Sequence, residues 1–184
     1  MAKQPMGIGP LGAPNIILKR KFRWTFEVST SCGYLPPFVC KTAERPKIQI
    51  EEQEVNFLNA VTWFPGKAKW QPINISYYDV ANYSLQGLFN WVATIYNIYD
   101  KVNLTMSEKA GYSGTARLVL YDGCGTPLES WVMGHVWPTS IGFGDLDYAS
   151  SDFCTIDLTL RYSEVEYTNL CGNNQGKTVC CKGC

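Results

Sequence analysis

The chain has a single histidine, His135, in 184 residues. That scarcity removes the commonest general base and metal ligand from almost the whole surface. His135 lies beside Val136 and Trp137 in a strand pattern, where a packed or hydrogen-bonded structural role is expected. No serine or cysteine has an evident paired base, so nucleophilic catalysis is not expected. Excess charge is also missing: 16 Lys and Arg balance 16 Asp and Glu. Proteins that grip nucleic acid electrostatically concentrate cations, and this chain does not. No apolar run approaches the roughly 18–20 residues of a membrane-spanning helix. Residues 1–14 are broken by Gly and Pro without an apolar run, so no signal peptide is expected and synthesis in a reducing cytoplasm is. The glycines around Gly123 and Gly142 lack the strand-to-helix setting of a phosphate loop. Asp145 and Asp147 share one face of an extended segment, which alone does not make an acid–base pair. No enzymatic activity, cofactor or membrane partner is expected.

What is present points to β-structure. Aromatic residues make up 14% of the chain, with 16 Gly and 10 Pro to supply turns. The length suits one domain with a core that needs no metal or disulfide. The clearest alternation is near the C-terminus. Cys154, Ile156, Leu158, Leu160 and Tyr162 fall on one parity; Thr155, Asp157, Thr159, Arg161 and Ser163 fall on the other. This predicts a strand with one buried and one wet face, with Cys154 a small buried core residue. At Ser163-Glu164 the parity flips to Val165 and Tyr167, which predicts a bulge or a strand that leaves one sheet for another surface. Ahead of it, Pro138 is expected to end a strand at Trp137-Pro138, because it cannot donate to a ladder.

Earlier in the chain, Lys21–Thr30 reads as a strand with Phe22, Trp24, Phe26 and Val28 on one face. Ser31-Cys32-Gly33 and Pro36-Pro37 mark a turn before a short strand over Phe38–Glu44. Lys47–Asp79 reads as a long hairpin with its tip at Pro65-Gly66, a pairing that favours a type II turn. Its arms change parity across Glu51-Glu52-Gln53-Glu54 and at Pro72. Trp63, Phe64 and Trp70 are expected near the tip, where they either fold back on the core or reach a neighbouring subunit. Ser84–Tyr99 has helical spacing through Leu85, Leu88, Phe89, Val92, Ile95, Tyr96 and Tyr99, with Ser84 or Asn82 as cap. Thr115–Asp122 and Pro127–Trp137 form a second hairpin around Cys124. The expected fold is mainly β with one flanking α-helix: a small antiparallel β-sandwich or barrel, without internal repeats.

The order of these features is similar to that of the tail tube proteins of contractile-tailed, T-even-like bacteriophages. The resemblance runs through the first strand (Lys21–Thr30), Asn56-Phe57-Leu58-Asn59 with the Trp70–Tyr78 strand, and the Phe89-Asn90-Trp91 helix. It continues through the Trp137-Pro138-Thr139 turn, and the acidic segment and last strand from Asp145 to Tyr162. It implies a tail-tube β-barrel domain over 19–167; the Gly- and Pro-punctuated residues 1–18 read as a flexible arm before it, and 168–184 as a Cys-rich extension that the family lacks. It implies six-membered rings stacked helically into a hollow tube inside a contractile sheath, with the long hairpin bridging subunits. The implied partners are further copies, the tail sheath protein, the tape-measure protein, the baseplate and the tail terminator, with DNA only in transit. The implied location is the virion tail, assembled in host cytoplasm. A lumen that gripped phosphates would slow passage, so Glu51, Glu52, Glu54 and Asp157 are candidates for its lining, or simply for a solvated face.

The chain departs from that family in its cysteines, eight in all, four of them at Cys171, Cys180, Cys181 and Cys184. Four thiolates can hold zinc, although the two-plus-two C-x-x-C spacing is absent. A redox pair at Cys181 and Cys184 lacks any thioredoxin-like surroundings. Interchain disulfides are the third reading: adjacent Cys180 and Cys181 rarely bond to each other and so point to different partners. Cys32, Cys40 and Cys124, at predicted turns or strand ends, are candidates for the same network. The other function classes kept open are a secreted, disulfide-bonded β-sandwich binding domain, with Asn74, Asn82 and Asn103 in glycosylation sequons, and a zinc-binding adaptor.

Overall fold

The computed structural model describes residues 18–81, 86–97, 102–103 and 109–170. The predicted arm over 1–18 therefore lies outside the described residues except for Leu18, as do the helix caps Asn82 and Ser84 and the four tail cysteines.

Among the described residues twelve strands form in chain order: β1 (Trp24–Thr30), β2 (Gly33–Leu35), β3 (Cys40–Ala43), β4 (Lys47–Phe57), β5 (Ala60–Gln71), β6 (Ile73–Tyr78), β7 (Tyr96–Asn97), β8 (Val102–Asn103), β9 (Gly114–Tyr121), β10 (Pro127–Gly142), β11 (Thr155–Arg161) and β12 (Glu164–Asn169). Helix α1 spans Gln86–Ala93, and α2 is a single turn over Lys109–Tyr112. The main sheet runs β2-β1-β9-β10-β11-β6-β3, with β12 also on β10, and every pairing is antiparallel.

Strand β10 is the spine of this arrangement. Its first half, Glu129–Gly134, is bonded to β9 on one edge and β12 on the other. Its second half, Trp137–Gly142, pairs with β11. The change occurs around Gly134–Val136, where the ladder with β9 shifts register and His135 takes φ 54°. Opposite this corner, Ser163 N–H donates to the Gly134 carbonyl at 3.1 Å. The predicted parity flip at Ser163-Glu164 is thus a strand passing from one sheet to the other. Pro138 does not end the strand. It sits inside β10 opposite Leu160, and the register slips between Pro138 and Ser140, so a bulge absorbs the missing donor. His135 is exposed on the corner rather than packed.

The two halves of the folded sheet face each other across one core. Phe26, Val28, Ala116, Leu118, Met133 and Val136 come from one side. Ile73, Ile75, Tyr77, Ile156, Leu158 and Leu160 come from the other. These positions follow the period-2 alternation of the sequence, and full burial of each large aliphatic side chain contributes about 1.5–3 kcal/mol. Two members of predicted apolar faces lie outside. Phe22 precedes β1 and is exposed, with the Arg23 guanidinium 5.3 Å from its ring centroid. Cys154 precedes β11 and is also exposed; its carbonyl accepts from Asp79 N–H at 2.9 Å. In each case the alternation continues one or two residues past the ladder.

Helix α1 covers β2, and the close approach favours glycine on the strand side: a Cβ on Gly33 would lie 3.0 Å from Gly87 Cα. The helix buries Leu88 and Trp91, and Trp91 Nε1–H donates to the Tyr112 carbonyl at 2.6 Å. Trp91 was not in the predicted stripe, whereas Phe89, which was, faces outward and stacks on Phe143 at 5.5 Å. The helix stops at Ala93, well short of Tyr99. There Thr94 Oγ1 donates to the Trp91 carbonyl at 2.6 Å and Ile95 N–H to Val92 at 2.9 Å. A β-branched pair thus tightens the last turn, and Tyr96 then enters the small β7–β8 ladder.

Candidate assembly interface

The hairpin of β4 and β5 forms a sheet of its own. With 11 residues, β4 reaches about 36 Å at the usual rise per residue. Its tip is Leu58-Asn59, not Pro65-Gly66. Leu58 takes φ 53° there, the backbone of a tight hairpin turn that glycine usually fills. Pro65 and Gly66 instead lie within β5 at a bulge, where the register slips between Ile50 and Glu52. A Cβ on Gly66 would sit 3.0 Å from the Glu51 carbonyl, so the crossing of the bulge demands glycine.

This correction relocates the aromatic residues. Trp70 is at the base, half-buried, with its ring 6.1 Å from that of buried Tyr162. Trp63 and Phe64 lie in the outer half and are 59% and 52% exposed. The register pairs Trp63 with Glu54 and Phe64 with Gln53, so the two rings occupy opposite faces of the ribbon. Val55, Phe57, Leu58 and Val61 are exposed around them. A two-stranded ribbon is marginal in water on its own, and this one carries exposed apolar side chains on both faces that no other element among the described residues covers. Leu58 and Val61 complete the patch; the alternation alone did not single them out, because misplacing the tip put them in mid-arm.

The predicted acidic residues do not form one cluster. Glu51 is ion-paired with Lys69 inside the hairpin, and Glu52 and Glu54 are exposed along it. Asp157 lies elsewhere, on the outer face of β11, in a shallow groove with Thr42, Glu44, Asn74, Ser76 and Thr159. Here Asn74 donates to Glu44 Oε2 through its backbone N–H at 3.1 Å and its side chain at 3.2 Å, and Thr159 Oγ1 donates to Asn74 Oδ1 at 2.9 Å. The Asn74 backbone bond, assisted by Lys47, holds the Glu44 carboxyl below its usual range. Glu44, which the sequence reading passed over, thus joins Asp157 on a polar sheet face that also carries Arg161 and Lys41.

The cysteines are dispersed. Cys32 and Cys40 are half-buried, while Cys124 and Cys154 are exposed. Burial pushes the Cys40 thiol up to about 12, and its Sγ faces the carbonyls of Thr42 at 3.5 Å and Ser76 at 3.8 Å. Cys124 sits at the β9–β10 turn, which Asp122 Oδ1 organises by accepting from the N–H groups of Cys124 and Thr126, both at 2.8 Å. No disulfide joins Cys32, Cys40 or Cys154. Among the described residues, no group of three His, Cys, Asp or Glu side chains is placed to hold a metal.

No protein-family model matches this chain, and no curated protein matches it. Solved structures do. A chain from the sheath-tube complex of the PVC extracellular contractile injection system, in its extended state, superposes with a TM-score of 0.62 at 18% identity, over 89% of this chain and 99% of that one. A chain from the extended-state sheath/tube terminator of the same system gives 0.63 at 18% identity, over 84% and 99%. A chain from the six-fold symmetrised baseplate of the anti-feeding prophage gives 0.62 at 14% identity, over 80% and 93%. The fold is therefore shared with chains of contractile injection systems, mainly β with helix α1 flanking the sheet.

Proposed function

We propose that this chain is a structural subunit of a contractile tail tube, without enzymatic activity. Six copies close into a ring, and rings stack helically into a hollow tube inside a sheath. The observation that carries this reading is the exposed, two-faced apolar hairpin on a fold shared with components of contractile injection systems. Such a ribbon reaches stability by packing against another copy, and a contact between different surface patches closes into rings. The outer edge of β12 has no strand partner among the described residues, and ring closure is one way to protect such an edge.

The polar outer face of β3, β6 and β11, where Glu44 and Asp157 balance Lys41 and Arg161, is the lumen lining; without an excess of cations it does not grip phosphate and lets tape measure and DNA pass. The glutamates of the hairpin lie at the contact with a neighbour, where Glu51 is already neutralised by Lys69. The two ends of the tube meet the baseplate and the terminator, and its exterior meets the sheath. The finished particle is a virion or a virion-like tail. The tail cysteines Cys171, Cys180, Cys181 and Cys184 join copies, or tube to sheath, after the particle leaves the reducing cytoplasm, with exposed Cys124 as a further anchor.

Negative-stain electron microscopy of the purified full chain, with and without reductant, tests this. Six-fold rings or hollow tubes are expected in both conditions. Assemblies that survive denaturant only without reductant would add the interchain bonds. A chain that stays monomeric at high concentration would overturn the assembly reading.

A further inference from the structure

Two surface features at opposite ends of β10 match in charge and in apolar character. At the end where β10 begins, the start of β1, the exit from β3 and the last residues of β9 enclose an open cleft of about 410 Å³. Trp24, Ala43, Leu118 and Leu120 form its apolar part. Lys19, Arg20, Lys21, Lys41 and Arg45 supply all of its charge, and no carboxylate lines it. Lys19 and Arg45 also reach inward to Glu129, and Lys41 lies 5.6 Å from the Tyr78 ring. Arg20 and Lys21 are exposed and make no ion pair among the described residues.

At the other end, the loop over 143–154 between β10 and β11 carries Asp145, Asp147 and Asp152 and no cation. Acidic and apolar residues alternate along Asp145-Leu146-Asp147-Tyr148. Leu146, Tyr148 and Phe153 are among the most exposed apolar side chains of the described residues. The loop already holds a shape. Gly144 takes φ 66° with no room for a Cβ beside the Thr155 carbonyl. Asp147 Oδ1 accepts from Ala149 N–H at 2.9 Å, and Phe153 meets the Tyr78 ring edge-on at 6.2 Å. A preformed loop loses little freedom on docking.

Within one copy the two features adjoin at Tyr78: Lys41 of the cleft lies 5.6 Å and Phe153 of the loop 6.2 Å from the centre of its ring. We propose that the acidic loop of one copy docks in the basic cleft of the next, with Asp145 and Asp152 facing Arg20 and Lys21 and with Leu146 and Tyr148 over Trp24 and Leu120. The contact rests on the assembly reading above and names one of its junctions. It is head-to-tail, so it propagates from copy to copy. Residues 1–17 adjoin the cleft in sequence, but their only charged side chain is Lys3, so they do not complement it.

Charge reversal on each side gives the test, in the full chain. R20E/K21E makes the cleft acidic while the loop stays acidic. D145K/D152K makes the loop basic while the cleft stays basic. All four side chains are exposed, and circular dichroism melts check that each variant folds. By sedimentation velocity, each variant alone is expected to associate at least about tenfold more weakly than the parent, because like charges now face each other at every junction. An equimolar mixture is expected to co-assemble, since each loop then finds a cleft of opposite charge. Variants that each assemble as the parent does, or a mixture that stays apart, would overturn this contact and leave the tube reading standing. A parent chain that never assembles would overturn both.

Discussion

Among the described residues, Asp122 and Glu129 are the buried carboxylates, and the burial of Glu129 is offset by cations. The Glu129 side chain is 3% exposed and is ion-paired with Lys19 and, at 3.7 Å, with Arg45. The Trp131 indole N–H and the Tyr167 hydroxyl approach it at 3.5 Å. Desolvation pulls its pKa upward, yet the hydrogen bond and charge of Lys19, with help from Trp131 and Arg45, leave it below the usual glutamate value. A carboxylate with a depressed folded pKa contributes stability that is present above its unfolded value, about 4.3, and lost as pH falls through the folded one. Glu44 has the same sign. The melting temperature should therefore drop as pH falls below about 4.3, and more steeply in the parent than in Glu129→Gln. Lys19→Ala should cost about 1–3 kcal/mol at neutral pH, less than a fully stranded buried charge, because Arg45 remains. Thermal melts across pH check both. The thiols separate on the same physics. Cys40, pushed up to about 12, stays protonated, and only the thiolate reacts. Brief alkylation of the native protein followed by peptide mass spectrometry should label Cys124 and Cys154 first and Cys40 last.

Among the elements, the β4–β5 hairpin divides into a base that belongs to the domain and an outer half that does not. Trp70 packs on Tyr162, so Trp70→Ala should cost roughly 2–4 kcal/mol, below the range for a fully buried tryptophan. Trp63→Ala with Phe64→Ala should change monomer stability by less than about 0.5 kcal/mol for each substitution. The same pair should nevertheless abolish assembly under the proposed function. Denaturant melts beside sedimentation separate the two effects; equal losses of stability at both positions would refute the division. The hairpin was legible as a hairpin because its apolar residues alternate on both arms. Its tip was not. Pro-Gly signals a sharp chain reversal or a bulge equally well, and the choice depends on which residues pair across strands, a non-local fact. Leu58 gave no turn signal, since its left-handed backbone is one that leucine rarely adopts. Likewise α1 ends where Thr94 and Ile95 bond back to the helix, while the apolar spacing runs on to Tyr99.

In the molecule as a whole, the alternating strands and their burial were readable because one-sided burial imposes a period of two. Phe26, Val28, Ile73, Ile75, Ile156, Leu158 and Leu160 all sit where that period puts them. How the strands meet was less accessible. Pro138 reads as a terminator, yet β10 runs on past it into the second sheet. The Asp157 face was recognised as wet, but Glu44 joined it only through the β3–β6–β11 order, which no local pattern encodes. That shared strand has a mechanical corollary. The hydrogen bonds of an antiparallel ladder lie perpendicular to the strands. A pull along β10 therefore loads its bonds to β9, β12 and β11 together in shear, instead of peeling them away one at a time. Because β10 crosses from one sheet to the other without a break, neither sheet can slide under such a load without dragging its counterpart. The domain can carry tension along this strand as one stiff body.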